Sequence, residues 1–592
     1  MEFSASCSGQ FNDCYIMIRK FFYLFMTAAL LCGVACSSSD GGDGPNGNGD
    51  GPTGTIDEIN GTKIIAGNSL VGLISDADTG KGIAGVPVTD GYAFTTTDAN
   101  GVYQFKANRY CRNVYLTVPA NYEIPLAPTT KLPLFYSTST IDRNKVNRND
   151  FTLKPLSAIE ENFTLIAIGD PQCKTDSDVK RFEKETIPDI KNTLNAAQAK
   201  GKYMNAYAVT LGDITFDNIV QWDPMVKTMS NLQVGSSYLP IFNCIGNHDH
   251  DAAKANDYLA TSNFVERLGP TDYSFDRGKA HIVVMDDVVC KTTSGKTWDY
   301  DAGFSKEQYE WLKADLSLVV NKTDKLVFLC CHIPFRNSST SGGANVNQDK
   351  HYKEVLNLLA EFKEAHIMIG HTHYPQNYIH STRVCQGGKP IYEHVHGAAC
   401  GGWWSSNLNV DGAPNGYSIY EITGSTVDNW VAKGTNLPET TQMRVYNGND
   451  VYKGSKNYSY TWTGGGTGGN ANIKVTGLSE LANCFVVTVW NDDSENWKIE
   501  LVQNGVATPM KRVTSSLADM CVVSFFFNVC NKNTTTWTKA LQHYWYVKAP
   551  SGNPANEQNW VVRATQTIPG SNKTNVYETS VFQTDFAGFA AS

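Results

Sequence analysis

Apolar residues gather in short runs through the middle of this chain, and five of those runs end in the same way. Phe163 to Gly169 stops before Asp170-Pro171-Gln172, Ala206 to Gly212 before Asp213, and Tyr238 to Ile245 before Gly246-Asn247-His248-Asp249. Lys325 to Cys331 stops before His332, and Ala365 to Gly370 before His371-Thr372-His373. Each run has the length of a buried strand, and helical periodicity lies between them. Val179, Phe182, Ile187, Ile190 and Leu194 share one face behind Ser177, which the pattern makes the cap; Ser305 and Gln308 form a capping box ahead of Tyr309, Leu312 and Leu316. Tyr273 to Phe275 and Ala280 to Met285 predict an antiparallel strand pair. Strand and helix in alternation predict an α/β domain, with carboxylates, amides and imidazoles delivered to one carboxyl edge, where such sheets build sites. A single histidine at a strand end is usually just hydrogen-bonded; five polar endings in order are a site.

The flanks carry a different pattern, short alternating runs broken by turns, which predicts all-β domains. On the N-terminal side they are Gly67 to Ser75, Val86 to Thr89, Ala93 to Thr97, Gly101 to Phe105 and Val114 to Val118. On the C-terminal side they are Gln442 to Tyr446, Asn472 to Val475, Cys484 to Val489, Lys498 to Val502, Val522 to Val529, Tyr544 to Val547 and Trp560 to Ala564. The start of the chain reads as an export signal: Met17-Ile18-Arg19-Lys20, then an apolar run from Phe21 to Val34, too short for a comfortable membrane span. A Gly-, Asp- and Asn-rich stretch follows and predicts a flexible tether. The expected divisions are thus 1–36 signal, 37–62 tether, 63–156 β-sandwich, 157–433 catalytic α/β domain and 434–592 a second β-rich domain.

Charge and cysteine narrow the picture further. With 49 Lys and Arg against 58 Asp and Glu, a net charge of -9, and no basic block, the chain lacks the footprint of a nucleic-acid binder. Of its 15 Cys, Cys7, Cys14 and Cys32 lie in the leader and Cys36 at its boundary is set aside with them, leaving an odd 11, so at least one thiol stays unpaired. A bridge from Cys521 to Cys530 across a hairpin is one pairing open to an exported protein.

The ordered set Asp170-Pro171-Gln172, Gly212-Asp213, Gly246-Asn247-His248-Asp249, His332 and Gly370-His371-Thr372-His373 resembles the calcineurin-like metallophosphoesterases. That resemblance implies a β-sandwich flanked by helices, a four-layer α/β arrangement, here between two all-β sandwich domains. It also implies a dinuclear metal site that hydrolyses phosphate esters, the two ions held roughly 3.5 to 4 Å apart to lower the pKa of a bound water and clamp the phosphoryl oxygens. The first metal would take Asp170, Gln172, Asp213 and His373, and the second Asp213, Asn247, His332 and His371, with Asp213 bridging. Two carboxylates against two divalent ions leave a surplus of about two positive charges, suited to a phosphate dianion. Gln172 replaces the histidine most common at its place; a weaker oxygen ligand moves the preference from Zn toward Mn, Fe or Mg. By the same resemblance His248 faces the substrate as proton donor, with Asp249 or Asp217 orienting its ring.

Several neighbours are left to be placed: Arg336 as a phosphate contact or a surface ion pair, Trp403-Trp404 as pocket wall, His394 and His396 beyond the ligand set, and His250, His351, His366 and His380 as structural or solvated. Gly33-Val34-Ala35-Cys36 resembles a bacterial lipobox, which implies a lipidated Cys36 and an anchor in the cell envelope, periplasmic or surface-facing. Gly80 to Val88 with Thr97 to Tyr103 resembles the transthyretin-like or carboxypeptidase-regulatory-like sandwich, and Val489 to Glu500 the C-terminal domain of some bacterial calcineurin-like enzymes. The expectation is a lipid-anchored phosphoesterase acting on a small or lipid-linked phosphate ester, monoester or diester. The competing expectation is a surface protein that binds glycan or a partner and carries a degenerate phosphoesterase domain.

Overall fold

A computed structural model describes residues 56–293, 296–336, 350–451, 481–493, 495–514, 517–526, 540–541, 543–571, 573–585 and 588–589. The leader, Cys36, the strand expected at Asn472 to Val475, and Cys530 lie outside them. The five runs are strands, and they divide between two sheets. Ile241–Cys244, Ala206–Leu211 and Asn162–Ile168 lie parallel and are continued by the antiparallel pair Gly416–Thr423 and Thr426–Gly434. Leu326–Cys330 and Glu364–Ile369 lie parallel in a six-stranded sheet, between Ala280–Val284 on one side and Pro390–Val395 on the other. Tyr273–Arg277 pairs antiparallel with Ala280–Val284, as the sequence predicts.

Side-chain alternation builds the layers. Leu165, Ala167, Val209, Leu211, Phe242 and Cys244 join the core between the sheets, together with Ile282, Val284, Phe328 and Met368 of the second sheet. Their neighbours Ile166, Ile168, Ala208 and Ile241 point the other way, onto the helices Asp176–Lys184, Thr186–Gln198 and Trp222–Ser230. Lys306–Leu318 and Tyr352–Leu359 cover the outer face of the second sheet through Trp311, Leu312, Val355 and Leu359. This is the expected helix-sheet-sheet-helix order. The capping box at Ser305 and Gln308 forms. The one at the first helix does not fall on Ser177: Thr175 caps, with Asp178 as its reciprocal partner, and the apolar face divides at Glu185 into two helices.

The N-terminal sandwich sets Leu70–Asp76 with Val102–Phe105 in one sheet and Pro87–Thr89 between Phe94–Thr96 and Tyr115–Leu116 in another. It does not stand apart. Val118 bridges to Phe275, and the Trp311 indole N–H donates to Thr89 Oγ1 at 3.3 Å, so its core runs into that of the catalytic domain. The expected tether ends early: Ile59 is buried, and Ile56 and Ile64 pack with Val71 and Val102, so the end of 37–62 belongs to the fold. In the C-terminal sandwich, Met443–Asn447, Cys484–Val489 and Tyr544–Lys548 face Trp497–Gln503 and Trp560–Thr567 across a core that includes Val445, Val487, Ile499 and Val562. The strand expected from Val522 is instead the helix Met520–Ser524, capped by Asp519, so Cys521 is not on a hairpin.

Candidate metal centre

The ends of all five strands meet at one place, and the backbone there is forced. Asp170, Gln172, Asp213, His371 and His373 adopt left-handed φ values of 41°, 45°, 50°, 69° and 59°. L-residues reach that region at a cost of roughly 1–2 kcal/mol each, which persists only where packing dictates it. Here the dictating contacts are visible. Ala399 N–H donates to Gly169 O at 2.7 Å, the Trp404 indole to Pro171 O at 2.8 Å, and Gln172 N–H to Asp213 O at 2.6 Å. Close approach also explains two glycines: a Cβ on Gly246 would lie 2.2 Å from Asp213 N, and one on Gly370 would lie 2.8 Å from Asp170 Oδ2.

The donor atoms converge in two groups. Asp213, His332 and His371 each bring a ligating atom within 4.8 Å of the others, as do Asp170, Asp213 and His373, so Asp213 is common to both. His332 Nδ1 lies 2.8 Å from the Leu211 carbonyl, which can only accept, so Nδ1 carries the proton and Nε2 turns inward as a lone pair. That Nε2 meets Asn247 Oδ1 at 3.1 Å and Asp213 Oδ1 at 3.3 Å, while His371 Nδ1 lies 2.9 Å from Asn247 Oδ1. His373 Nε2 stands 3.5 Å from Asp170 Oδ1, and Gln172 Nε2 donates to Asp213 Oδ2 at 3.0 Å, leaving buried Gln172 Oε1 without a partner. Lone pairs facing lone pairs, and an orphaned amide oxygen beside them, fit cations. All seven residues expected as ligands are therefore brought together.

The buried groups pull one another's protonation in opposite directions. Burial pulls the His332 imidazole down, but Asp213 outweighs it and raises it to about 10. Burial pushes Asp213 up, and His332 and His248 together hold it well below the usual carboxylate range. Burial, with His332 alongside, lowers His371 to about 3.

His248 sits at the rim. Its backbone N–H donates to Asp213 Oδ1 at 2.8 Å, its Nδ1 meets Asp217 Oδ1 at 3.1 Å, and its ring stacks on Phe216 at 4.2 Å. Asp217, not Asp249, orients it. Asp249 is buried and accepts from Ile214 and Gly246 N–H on Oδ2 and from Thr215 N–H and hydroxyl on Oδ1, tying the Asp213 loop to the Asn247 loop. Burial and the charge of Asp213 raise Asp249 to about 7.

Other residues fall elsewhere than the sequence suggested. The Arg336 guanidinium donates to Ile379 O and lies over Tyr378, neither a surface ion pair nor bound among the ligands. His396 bonds Ile369 O and Tyr420, and His394 bonds His366 and Asn377. His250, His366 and His380 are buried and paired with Asp286, Glu364 and Glu393. Trp403 does wall the site, 5.3 Å from the His373 ring, whereas Trp404 braces the Asp170 loop from behind. Sequence reasoning missed Phe216, Tyr300, whose ring meets His371 edge-on at 6.4 Å, and Asp287, which accepts from His332 and Ile333 N–H and the Tyr352 hydroxyl. Asp287 had a signal: the pair Asp286-Asp287 closes the run Ala280 to Met285 as the other polar residues close theirs.

Comparison with known families agrees with this arrangement. Residues 163–375 match the family described as calcineurin-like phosphoesterase, residues 70–156 the N-terminal, and 393–569 the C-terminal domain of calcineurin-like phosphoesterases. The chain belongs to the calcineurin-like phosphoesterases, a family of phosphoester hydrolases, in the form that carries both accessory domains. The C-terminal match begins inside the stretch read from sequence as catalytic. Among solved structures it is similar to a purple acid phosphatase from yellow lupin (Lupinus luteus) seeds, at 14% identity over 45% of this chain and 53% of that one, with a TM-score of 0.29. It is also similar to the NAD nucleotidase of Haemophilus influenzae, at 13% identity over 46% and 49%, with a TM-score of 0.24. The chain thus spans about half the length of these structures. No curated protein matches it.

Proposed function

We propose that this chain hydrolyses phosphate esters at a dinuclear metal centre held by Asp170, Gln172, Asp213, Asn247, His332, His371 and His373. The observation that carries the reading is Asp213, a buried carboxylate common to both donor groups, with Gln172 Oε1 orphaned beside it. Bound divalent ions supply a water of lowered pKa and neutralise phosphoryl charge. The chain's own residues do the rest. Leu211 O and Asp287 fix His332 from behind, and Asp217 and Phe216 hold the His248 ring in place to pass a proton to the leaving oxygen. Trp403 and Tyr300 cover apolar area beside His373 and His371 and exclude water. The substrate class is a small or lipid-linked phosphate ester, and the location a lipid anchor at Cys36 in the cell envelope; the leader pattern supports the latter.

The test is turnover of p-nitrophenyl phosphate beside bis-p-nitrophenyl phosphate by the chain from Ser37, loaded with Mn, Zn or Mg, with Asp213→Asn as control. Monoester preference means a phosphatase, diester preference a phosphodiesterase. Turnover of neither above the control, with any metal, sinks the reading.

A further inference from the structure

Among the described residues, three places bring three ligating atoms of His, Cys or acidic side chains within 4.8 Å of one another. Two make up the centre above; the third is His250, Asp257 and Cys290. His250 is buried, and its Nδ1 lies 2.9 Å from the Gly246 carbonyl. A carbonyl only accepts, so Nδ1 carries the proton and Nε2 turns to the cluster, the arrangement Leu211 imposes on His332 and the usual one for a metal-bound imidazole. Asp286 flanks the cluster, its Oδ2 3.2 Å from His250 Nε2. Asp286 is itself held, its Oδ1 accepting Val288 N–H at 2.9 Å and its backbone carbonyl accepting the Gln308 amide at 2.6 Å. Asp257 Oδ1 accepts Cys290 N–H at 2.6 Å, which fixes the carboxylate against the thiol. Of the ten described thiols Cys290 alone is not fully buried, so an ion can reach it.

Charge points the same way. Asp257 and Asp286 stand against a single imidazole, and Asp272, which accepts Asp286 N–H at 3.2 Å, adds a third carboxylate. Surplus carboxylates withdrawn from water call for a counter-ion. We propose that His250 Nε2, Asp257 and Cys290 Sγ, with Asp286 beside them, form a third metal site, apart from the catalytic centre, for a zinc-class divalent cation. One thiolate, one imidazole and one carboxylate, with a fourth position left for water, are a donor set that suits tetrahedral Zn. Binding releases the Cys290 thiol proton to water and needs no redox partner.

Such a site has a structural consequence. Cys290 lies in the hairpin of Val288–Thr293 and Lys296–Ala302, which carries Tyr300 over His371; Asp257 begins a short helix; His250 follows the Asn247–His248 loop. One ion would therefore staple the covering hairpin to the catalytic loop.

Cobalt loading of the chain from Ser37 tests this apart from activity. The catalytic donors are all nitrogen and oxygen, so a thiolate-to-cobalt charge-transfer band in the near ultraviolet must come from a cysteine. The expected result is the band with a third equivalent of cobalt in the wild type and in Asp213→Asn relative to each one's catalytic occupancy. Band and equivalent should both vanish in Cys290→Ser, a near-isosteric change, and weaken at least tenfold in cobalt affinity in Asp257→Asn. No band at saturating cobalt, or a band that survives Cys290→Ser, overturns the proposal. Because the band does not report on the catalytic ions, the third site can stand or fall independently of hydrolysis.

Discussion

Replacing Asp249 by alanine separates a brace from a catalyst. The carboxylate satisfies three buried backbone amides, of Ile214, Thr215 and Gly246, at 3.0, 2.8 and 2.9 Å. Each left unmet costs about 1–3 kcal/mol, so the gross loss is about 3–6 kcal/mol once some rehydration of the vacated space is allowed. Part is returned, because the carboxylate itself is uncomfortable: burial and Asp213 raise its pKa to about 7. A net loss of roughly 2–4 kcal/mol is expected, borne by the loops that hold Asp213 and Asn247. Expressed as metal affinity, the lower end is about 30-fold. Hydrogen-exchange mass spectrometry of peptides covering 211–216 and 245–250 should show faster exchange, and metal titration a weaker site. At saturating metal the turnover number should recover to within a few-fold of wild type. If exchange and metal affinity are unchanged while turnover at saturating metal collapses, Asp249 takes part in the chemical step and the bracing argument is wrong.

Further outcomes follow from the same geometry. His248→Ala should slow alkyl phosphate hydrolysis by about 10²–10⁴-fold and p-nitrophenyl phosphate much less, because p-nitrophenolate leaves without a proton; equal losses on both would deny His248 the proton-donor role. Gln172→His should tighten Zn retention on dialysis, since imidazole is the better zinc ligand, and no change would place Gln172 outside the coordination sphere. His281 offers a pH test far from the metals. Burial pulls it down, but Asp315 and Asp276, at 2.9 and 2.7 Å, raise it to about 10. With a folded pKa above the ordinary 6.5, its stabilisation is complete below about pH 6.5 and is lost as pH rises through about 10, at up to about 1.4 kcal/mol per unit. Wild-type melting temperature should fall across that window more steeply than that of His281→Gln; parallel curves would refute the linkage.

How much of this was legible in the sequence depends on how local each cause is. The five strand endings are local, a run of apolar residues and then a polar one, and the residues expected from them converge at one place. Thr175 rather than Ser177 caps the first helix because Asp178, three residues on, can return the bond; the box is local too, but Ser177 lay closer to the apolar face. The role of Asp249 was not legible, because its partners Ile214 and Thr215 lie 35 and 34 residues away and depend on two loops crossing. Arg336 likewise reads as a phosphate contact or a surface ion pair until Tyr378 is seen beneath it. Tyr300 reaches His371 from a hairpin that follows no run of the catalytic pattern. The helix at Met520–Ser524 shows β-branched residues overruled by an aspartate cap and by burial against Tyr446 and Phe526.

The five left-handed residues of the proposed centre finally decide what metal removal should do. Their strain, roughly 1–2 kcal/mol each, is held against cores on both sides of the sheets that contain no ligand side chain. A fold whose metal supplied that energy would open on chelation, as small zinc domains do. Here the turns are fixed by backbone bonds, Gly169 to Ala399 and Gln172 to Asp213, in which no metal-binding side chain takes part. Chelation should therefore leave the far-ultraviolet circular dichroism unchanged. Faster hydrogen exchange should be confined to 170–173, 213–217, 246–250 and 370–373, and reloading should restore protection without refolding. Loss of secondary structure on chelation would show that metal, not packing, holds the ligands in their strained conformations.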